Sequence, residues 1–216
     1  MIHLSSQRND AIDSAEDCRN KYVARCLFRK ITREHQLCND DSGPFRLFCD
    51  DLRPGNVLAN DHHQMTGVVD WEFTYAAPTG FAHSPPFWLL LELPELWKPG
   101  LDDWTARYEK VLPTFLKVVK NKEQAAIDRG TLEEADRLSE HMWRSWQSGD
   151  FWLNYAARKS WAFDMIYWAK IDRRFFGGGD RCLNDRIKLL TPEEREEMDK
   201  FVQIKFKAKE EGGLSN

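Results

Sequence analysis

The segment LFCDDLRPGNVLAN, residues 47–60, contains a carboxylate and a carboxamide at a spacing that suits phosphate chemistry. Asp51 and Asn56 lie five residues apart, and Pro54 and Gly55 interrupt the stretch between them. A turn at this point would return Asn56 towards the cavity that Asp51 faces. Phosphoryl transfer needs a carboxylate beside the acceptor hydroxyl and oxygen ligands for the magnesium ion on the nucleotide phosphates. The segment therefore indicates a candidate site of this kind.

A second carboxylate closes a predicted hairpin. Asp70 ends the run GVVD 14 residues after Asn56, which is the length of a β-hairpin return. We expect Asp51, Asn56 and Asp70 to converge on one solvent-accessible cavity, where Asn56 and Asp70 hold magnesium. The apolar residues expected to fix the two loops side by side are Val57, Leu58, Val68 and Val69.

A simpler explanation exists for the same residues. Asp and Asn beside Pro-Gly are ordinary turn formers, and a lone Asp-x4-Asn pair occurs by chance in many proteins. The order of the elements favours the functional interpretation, because strand, loop, strand, hairpin, apolar strand and Asp70 follow at workable distances.

Other reactive side chains near the loop are better explained as structural. Cys49 could be a nucleophile, but no His is placed to activate it, and its strand position favours a buried thiol. His62 and His63 lie in the predicted hairpin turn without a Cys or His partner at metal-ligand spacing. The five cysteines are scattered and form no CxxC pair, which indicates a reducing, cytoplasmic compartment.

Composition excludes several classes of partner. With 42% hydrophobic and 31% charged residues, the chain of 216 residues has the profile of a soluble globular protein with a real core. The net charge of -4 and the lack of a basic block exclude nucleic acid as the main partner. The N-terminus lacks an apolar signal segment, and the stretch PPFWLLLELPELW is too short and interrupted for a membrane span. We expect a monomer or weak dimer that binds a small-molecule acceptor.

Hydrophobic periodicity predicts an α+β, mainly helical fold with a small β-hairpin patch. Three short strands are expected at 45–49, 56–60 and 65–70, and the glycine segment 175–180 is expected to be a connector. At the last helix, Thr191, Pro192 and Glu194 form a capping signature. The predicted helices cover 8–37, 86–93, 102–121, 123–147, 150–170 and 192–210.

Aromatic residues mark one of these helices as a core element. Residues 149–170 are expected to form a helix that packs mostly into the core, because apolar residues at three- and four-residue steps form a buried stripe. The stripe consists of Phe151, Tyr155, Trp161, Met165 and Trp168.

The motif CDDLRPGNVLAN followed by TGVVDWEF resembles the aminoglycoside phosphotransferase and choline kinase-like family, which has the protein-kinase-like fold. Its fungal members look most similar. The family pattern is His-Gly-Asp-Leu-x-x-x-Asn followed by Ile-Asp-Phe/Trp-Glu, and the segments YAAP and SPPFWLLLELPELW also resemble family sequence. The resemblance covers residues 20–170 and implies a kinase-like C-terminal lobe, ATP and Mg²⁺ as cofactors, and a small-molecule hydroxyl as acceptor.

The resemblance also implies roles for individual residues. Asp51 corresponds to the catalytic base, Asn56 to a catalytic-loop magnesium ligand, and Asp70 to the metal-binding Asp that also faces the nucleotide. Asp50, Arg53 and Glu72 would support these groups from beside the site. The chain departs from the family pattern where Cys49 and Asp50 replace the usual His-Gly pair.

A larger departure concerns the N-terminal lobe, which in this family supplies a glycine-rich turn and a strand Lys to the phosphates. Only 44 residues precede the first predicted strand; they contain no GxGxxG and no VAIK-like strand. The expected domains are a helical segment 1–44, a C-lobe 45–210 and a frayed tail 211–216. An active phosphotransferase completed by another element, a truncated gene product and an inactive binding or regulatory module all remain open. A half-site should bind Mg-ATP with a dissociation constant no better than roughly 1 mM.

Overall fold

The computed structural model describes residues 12–34, 45–177 and 182–212. Helices account for 66% and strands for 9% of the chain, and the strands form two separate two-stranded antiparallel sheets. This composition confirms the mainly helical α+β class with a small β patch. No helix in the described ranges is long and apolar enough to cross a membrane.

The strands are short and all lie in the first half of the chain. They are β1 (Phe45–Cys49), β2 (Val57–Ala59), β3 (Met65–Val68) and β4 (Thr74–Pro78). The α-helices are α1 (Ala15–Glu34), α2 (Thr79–Ala82), α3 (Leu101–Asp128), α4 (Leu138–Ser148), α5 (Asp150–Arg158), α6 (Phe163–Ile166), α7 (Asp172–Phe176), α8 (Leu183–Ile187) and α9 (Pro192–Gly212). Four 3-10 turns, Pro54–Asn56, Phe87–Leu90, Pro94–Leu96 and Glu134–Asp136, and one π-helical turn, Tyr167–Ile171, complete the described elements.

Contacts between Cα atoms divide the chain into two compact units. One unit combines residues 1–36 with 163–216, and the other comprises 37–162. This grouping differs from the domain boundaries drawn from the sequence at residues 44 and 210. The reason is that α1 packs against α9, close to the other end of the chain.

The first unit is held together by an apolar stripe and by ion pairs. Burial of the apolar face explains why α1 forms a long helix, since an amphipathic helix gains most of its stability from packing. Arg25 pairs with Asp164 at 2.6 Å, and Arg186 pairs with the buried Asp172 at 2.8 Å. The buried residues of α1 are Cys18, Tyr22, Val23, Ala24, Cys26, Leu27 and Ile31.

The start of α9 confirms the capping signature. The Glu194 amide donates to the Thr191 hydroxyl at 3.2 Å, and the Thr191 amide donates to the Glu194 carboxylate at 3.1 Å. Both donors would otherwise lack a partner inside the helix, so the exchange fixes where the helix begins.

The second unit has an aromatic core built by α3, α4 and α5. Trp104 stacks on Tyr108 with ring centroids 4.6 Å apart, and Tyr108 lies 4.6 Å from Trp146. Phe151 and Tyr155 complete the cluster, each at most 1% exposed. Stacked and edge-on rings add to the stabilisation from burial.

Three predicted helices differ from the structure. Segment 86–93 contains only a 3-10 turn at Phe87–Leu90, because Pro86 and Pro94 flank it and Leu91 has a left-handed φ of 62°. Helix α3 continues to Asp128 through Pro113, and the following helix begins only at Leu138. The predicted helix 150–170 ends at Arg158, where Lys159 leaves the helical region at φ -108° and ψ 80°.

Because the helix ends at Arg158, only part of the predicted aromatic stripe is buried. Phe151 and Tyr155 are buried, as predicted. Trp161 and Met165 are 68% and 40% exposed, so for these two the prediction was wrong, and Trp168 is half-buried. The three- and four-residue spacing holds only within one uninterrupted helix, and this helix ends at Arg158.

The predicted ends of two segments lie partly outside the described residues. For the first helix these are 8–11 and 35–37, and for the glycine connector they are 178–180. The described part of the connector is residues 175–177, in which Phe175 and Phe176 form the end of α7 and Gly177 follows with a positive φ of 84°.

Candidate functional site

The β framework around Asp51 consists of two strand pairs rather than one three-stranded patch. Strand β1 pairs antiparallel with β4, from Phe45 opposite Pro78 to Cys49 opposite Thr74. Strands β2 and β3 form the expected hairpin, with Val57 opposite Val68. Strand β4 was not predicted, because TYAAP combines two alanines with a proline and gives little strand signal.

The loop between β1 and β2 brings Asn56 to Asp51. A 3-10 turn over Pro54–Asn56 reverses the chain, and the Asn56 amide N–H donates to the Arg53 carbonyl at 2.9 Å. The Asn56 side-chain Nδ2 then donates to the Asp51 carbonyl at 2.8 Å and to Asp51 Oδ2 at 3.2 Å. Asn56 is buried, so its amide is held in a fixed direction by Asp51.

Asp70 is the next residue after Val69, whose backbone contacts Asn56. The Val69 N–H donates to the Asn56 carbonyl at 2.9 Å, which places Asp70 one residue beyond this bond. Asp70 has a left-handed φ of 66°, an uncommon conformation for a residue other than glycine. Its exposed carboxylate makes no hydrogen bond or ion pair with any described residue, and the same holds for Glu72. Strained backbone of this kind is enriched at binding sites.

The two remaining candidates beside the loop have different partners. Arg53 Nε lies 3.2 Å from Asp51 Oδ1, so Arg53 and Asn56 engage the two Asp51 oxygens. Asp50 instead binds Arg158 Nη1 through Oδ1, and Lys159 Nζ lies 3.2 Å from its Oδ2. The negative charge of Asp50 is therefore compensated by α5 and the residue that follows it.

Sequence reasoning missed Arg158 and Lys159. They lie 108 and 109 residues from Asp50 along the chain, and a basic pair at the end of a helix is common enough to carry no specific signal. Their side chains are only 6% and 11% exposed, so they belong to a mostly buried charge cluster and not to a solvated surface pair.

An apolar cleft of about 270 Å³ opens beside the loop. Asp50 and Leu52, which flank Asp51, lie in its wall. The Arg158 guanidinium lies over the rings of Phe48 and Phe81, at 4.9 and 5.4 Å from their centroids. The residues that line the cleft are Leu47, Phe48, Cys49, Asp50, Leu52, Phe81, Ala82, Ser84, Pro85, Pro86, Phe87, Trp88, Phe115, Met142 and Arg158.

The charge of Asp50 affects the pKa of the neighbouring Tyr75. Burial and the Asp50 carboxylate both raise the pKa of Tyr75, while Arg158 lowers it. Tyr75 therefore stays a neutral phenol at physiological pH and can serve as a hydrogen-bond donor there.

The other reactive side chains near the loop have structural surroundings. Cys49 is a half-buried free thiol on β1. His62 and His63 are exposed in the hairpin turn, where Asn60 Oδ1 accepts hydrogen bonds from the His62 and Gln64 amides at 3.0 Å. Within the described ranges, no group of three or more His, Cys, Asp or Glu side chains is arranged to hold a metal ion.

The donor chemistry near Asp51 nevertheless fits a magnesium ion that keeps most of its water. Asn56 uses Nδ2 towards Asp51, and its Oδ1 accepts no hydrogen bond from the described part of the chain. Asp70 offers an exposed carboxylate without a protein partner. Mg²⁺ prefers oxygen ligands and is commonly held by one or two of them plus water.

Comparisons of the chain with protein-family models, with curated proteins and with solved structures gave no match. The resemblance to the phosphotransferase family therefore depends on the sequence motifs described above.

Proposed function

We propose that this protein is a phosphotransferase-type protein that transfers a phosphoryl group from Mg-ATP to the hydroxyl of a small molecule. The observation that carries the proposal is the hydrogen bond between Asn56 Nδ2 and Asp51 Oδ2 at 3.2 Å. It joins the candidate base to the candidate metal ligand on a loop whose next hairpin ends at Asp70. When bound, Mg-ATP supplies the phosphoryl group and the positive charge that stabilises its transfer.

Asp51 is assigned the role of base for the acceptor hydroxyl. Its carboxylate is held by Arg53 on one oxygen and by Asn56 on the other. These contacts fix the direction of the carboxylate, which is a requirement for accepting a proton along a defined line. Asn56 and Asp70 are assigned to magnesium through Oδ1 and the free carboxylate, respectively.

The same geometry also supports a second candidate, a binding or regulatory module without turnover. Both oxygens of Asp51 already have partners, so an acceptor hydroxyl must share or displace one of them. In that case Mg-ATP should bind with a dissociation constant no better than roughly 1 mM. Calorimetry with ATP, with and without Mg²⁺, measures this directly, and micromolar affinity would favour the enzyme.

Replacement of the base tests the enzymatic proposal. Asp51→Asn should lower phosphoryl transfer to any accepted alcohol by about 100-fold or more, because general base catalysis contributes a factor of this order. Transfer is followed by ³¹P NMR with Mg-ATP and a panel of small alcohols. The thermal unfolding midpoint should stay near that of the wild type, since the Asp51 side chain is 31% exposed.

Asp61→Asn is the matched control, because Asp61 is an exposed carboxylate in the hairpin turn. It should leave transfer unchanged. Equal turnover of Asp51→Asn and wild type at saturating acceptor would contradict the assignment of Asp51 as the base.

A further inference from the structure

We infer that the cleft beside the Asp51 loop is the acceptor subsite, and that the acceptor is a small hydrophobic alcohol without positive charge. The inference names a substrate class for the proposed phosphotransferase. It rests on that function only in describing the ligand as the acceptor of the phosphoryl group. The shape and lining of the cleft support the binding site without reference to that function.

The walls of the cleft select an apolar ligand. Most of the lining side chains are hydrocarbon or aromatic, and the aromatic and thioether ones are Phe48, Phe81, Phe87, Trp88, Phe115 and Met142. Trp88 and Phe115 meet edge to face at 6.2 Å, which leaves a rigid aromatic corner. Concave, mostly apolar walls with a few polar groups are typical of small-molecule sites.

The volume limits the size of the ligand. The cleft holds about 270 Å³, just below the ~300–1,000 Å³ typical of pockets for drug-sized molecules. A molecule with one or two rings fits this space, whereas a chain of several sugar rings does not.

The charges of the cleft disfavour a cation. Asp50 is the single acidic residue among those that line it, and Arg158 and Lys159 both bind its carboxylate. Of these two cations only Arg158 lines the cleft, so the lining charges balance and the Asp50 carboxylate is already fully engaged. An ammonium group on the ligand would find no free carboxylate among the lining residues and would lose its hydration without a compensating partner.

The polar end of the cleft explains why the ligand should be an alcohol. Asp50 and Leu52 place this end next to Asp51, and Ser84 adds a hydroxyl that accepts a hydrogen bond from Asn154 Nδ2 at 2.9 Å. A neutral hydroxyl can donate and accept here without changing the charge balance. With its rings between the aromatic walls, the ligand would direct its hydroxyl towards the loop.

Binding of a matched pair of ligands tests the inference. The neutral alcohol naphthalenemethanol and the cationic naphthalenemethylamine share the same ring system and differ in one group. Calorimetry and ligand-observed NMR are carried out on the full chain without nucleotide or magnesium. We expect the alcohol to bind with a dissociation constant below about 1 mM and the amine to bind at least about tenfold more weakly.

Two variants locate the bound ligand. Ala82→Phe places a ring inside the cleft and should weaken binding of the alcohol by at least about tenfold. Leu96→Ala is the control, because Leu96 is 59% exposed and does not line the cleft. If Ala82→Phe fails to fold by circular dichroism, Phe115→Leu replaces it, and removal of this aromatic wall should weaken binding several-fold.

The outcomes separate the inference from the proposed function. Failure of the alcohol to bind at about 5 mM, equal or tighter binding of the amine, or unchanged binding in the folded cleft variant would overturn the inference. Binding as expected together with no phosphoryl transfer would overturn the enzymatic proposal and leave the binding site standing. Transfer to a different alcohol without binding in the cleft would overturn the inference and leave the enzymatic proposal standing.

Discussion

Two regions of the unit formed by residues 37–162 differ sharply in how they bury their apolar side chains. In the β framework, Leu47 is 76% exposed and Met65 is 69% exposed. In the helical region, Trp104, Tyr108 and Leu112 are fully buried at 0% exposure. Both regions are rich in apolar residues, but the large buried side chains lie in the helical region.

This difference separates stability from candidate chemistry. Burial of apolar area is the main source of folding free energy, so the helical region must supply most of it. The loop with Asp51, Asn56 and Asp70 depends instead on hydrogen bonds and turn geometry. Substitutions in the helices should therefore change stability, and substitutions in the β framework should chiefly change binding.

The largest expected effect is the loss of Trp104. Trp104→Ala removes the ring that stacks on Tyr108 and leaves a large cavity, which should lower the free energy of unfolding by about 3–5 kcal/mol. Urea denaturation followed by circular dichroism measures this change. Leu47→Ala is the control in the β framework and should stay within about 0.5 kcal/mol of the wild type. Similar losses for both variants would contradict the division of the unit into two kinds of region.

The next effect concerns the charge cluster that joins the two regions. Asp50→Asn keeps the size of the side chain but leaves Arg158 and Lys159 mostly buried without a carboxylate between them. Because breaking a buried ion pair from one side is costly and this pair is partly exposed, we expect a loss of about 2–3 kcal/mol. Urea denaturation again measures it.

The double variant Asp50→Asn/Arg158→Met is the control for the charge cluster, because it also removes one of the stranded cations. It should recover part of the loss. A double variant less stable than the sum of the two single variants would argue against charge imbalance as the cause.

A smaller effect is expected where one helix caps another. Glu123 on α3 is buried and accepts hydrogen bonds from the Leu138 and Ser139 amides at 2.7 and 3.0 Å, at the start of α4. Glu123→Gln keeps one acceptor but removes the charge that favours a helix N-terminus, so we expect a loss of about 1–2 kcal/mol. The unfolding midpoint in urea measures it.

Glu109→Gln on α3 is the matched control, because Glu109 is an exposed carboxylate on the same helix as Glu123 and lies away from the start of α4 in the sequence. It should change stability by less than about 0.5 kcal/mol. A control variant as unstable as Glu123→Gln would contradict the role of Glu123 as the cap of α4.

Local signals predicted much of this fold. The capping pair Thr191 and Glu194 and the hairpin of β2 and β3 are determined by neighbouring residues, and both are present. Strand β4 depends on its partner β1 rather than on its own composition, and so it was missed. The break after Arg158 was missed because the apolar periodicity of the sequence continues past the end of the helix.

In the candidate site, too, local contacts could be predicted from the sequence and long-range contacts could not. The proximity of Asn56 to Asp51 follows from a five-residue turn, which sequence spacing can reveal. The partners of Asp50 come from the end of α5, more than 100 residues away. Only the packing of helix against strand decides such pairs, and a single sequence contains no record of it.

The smallest expected effect is a pH dependence at the edge between the two regions. The rings of His83 and His141 stack with centroids 4.1 Å apart and planes at 7°. Burial, His141 and Arg46 lower the pKa of His83 below its ordinary value of 6.5. Arg46 in turn pairs with Asp136 at 3.0 Å.

A lowered pKa in the folded state means that the unfolded chain binds the proton first as the pH falls. The stabilising contribution of neutral His83 is therefore complete above a pH of about 6.5 and declines below it. His83→Phe keeps a stacked ring without a proton site and should reduce the loss of thermal stability between about pH 7.5 and about pH 5. Unfolding midpoints at both pH values measure the difference, and His62→Asn in the exposed hairpin turn should leave it as in the wild type. A pH dependence in His83→Phe as steep as that of the wild type would show that the stacked pair plays no part in it.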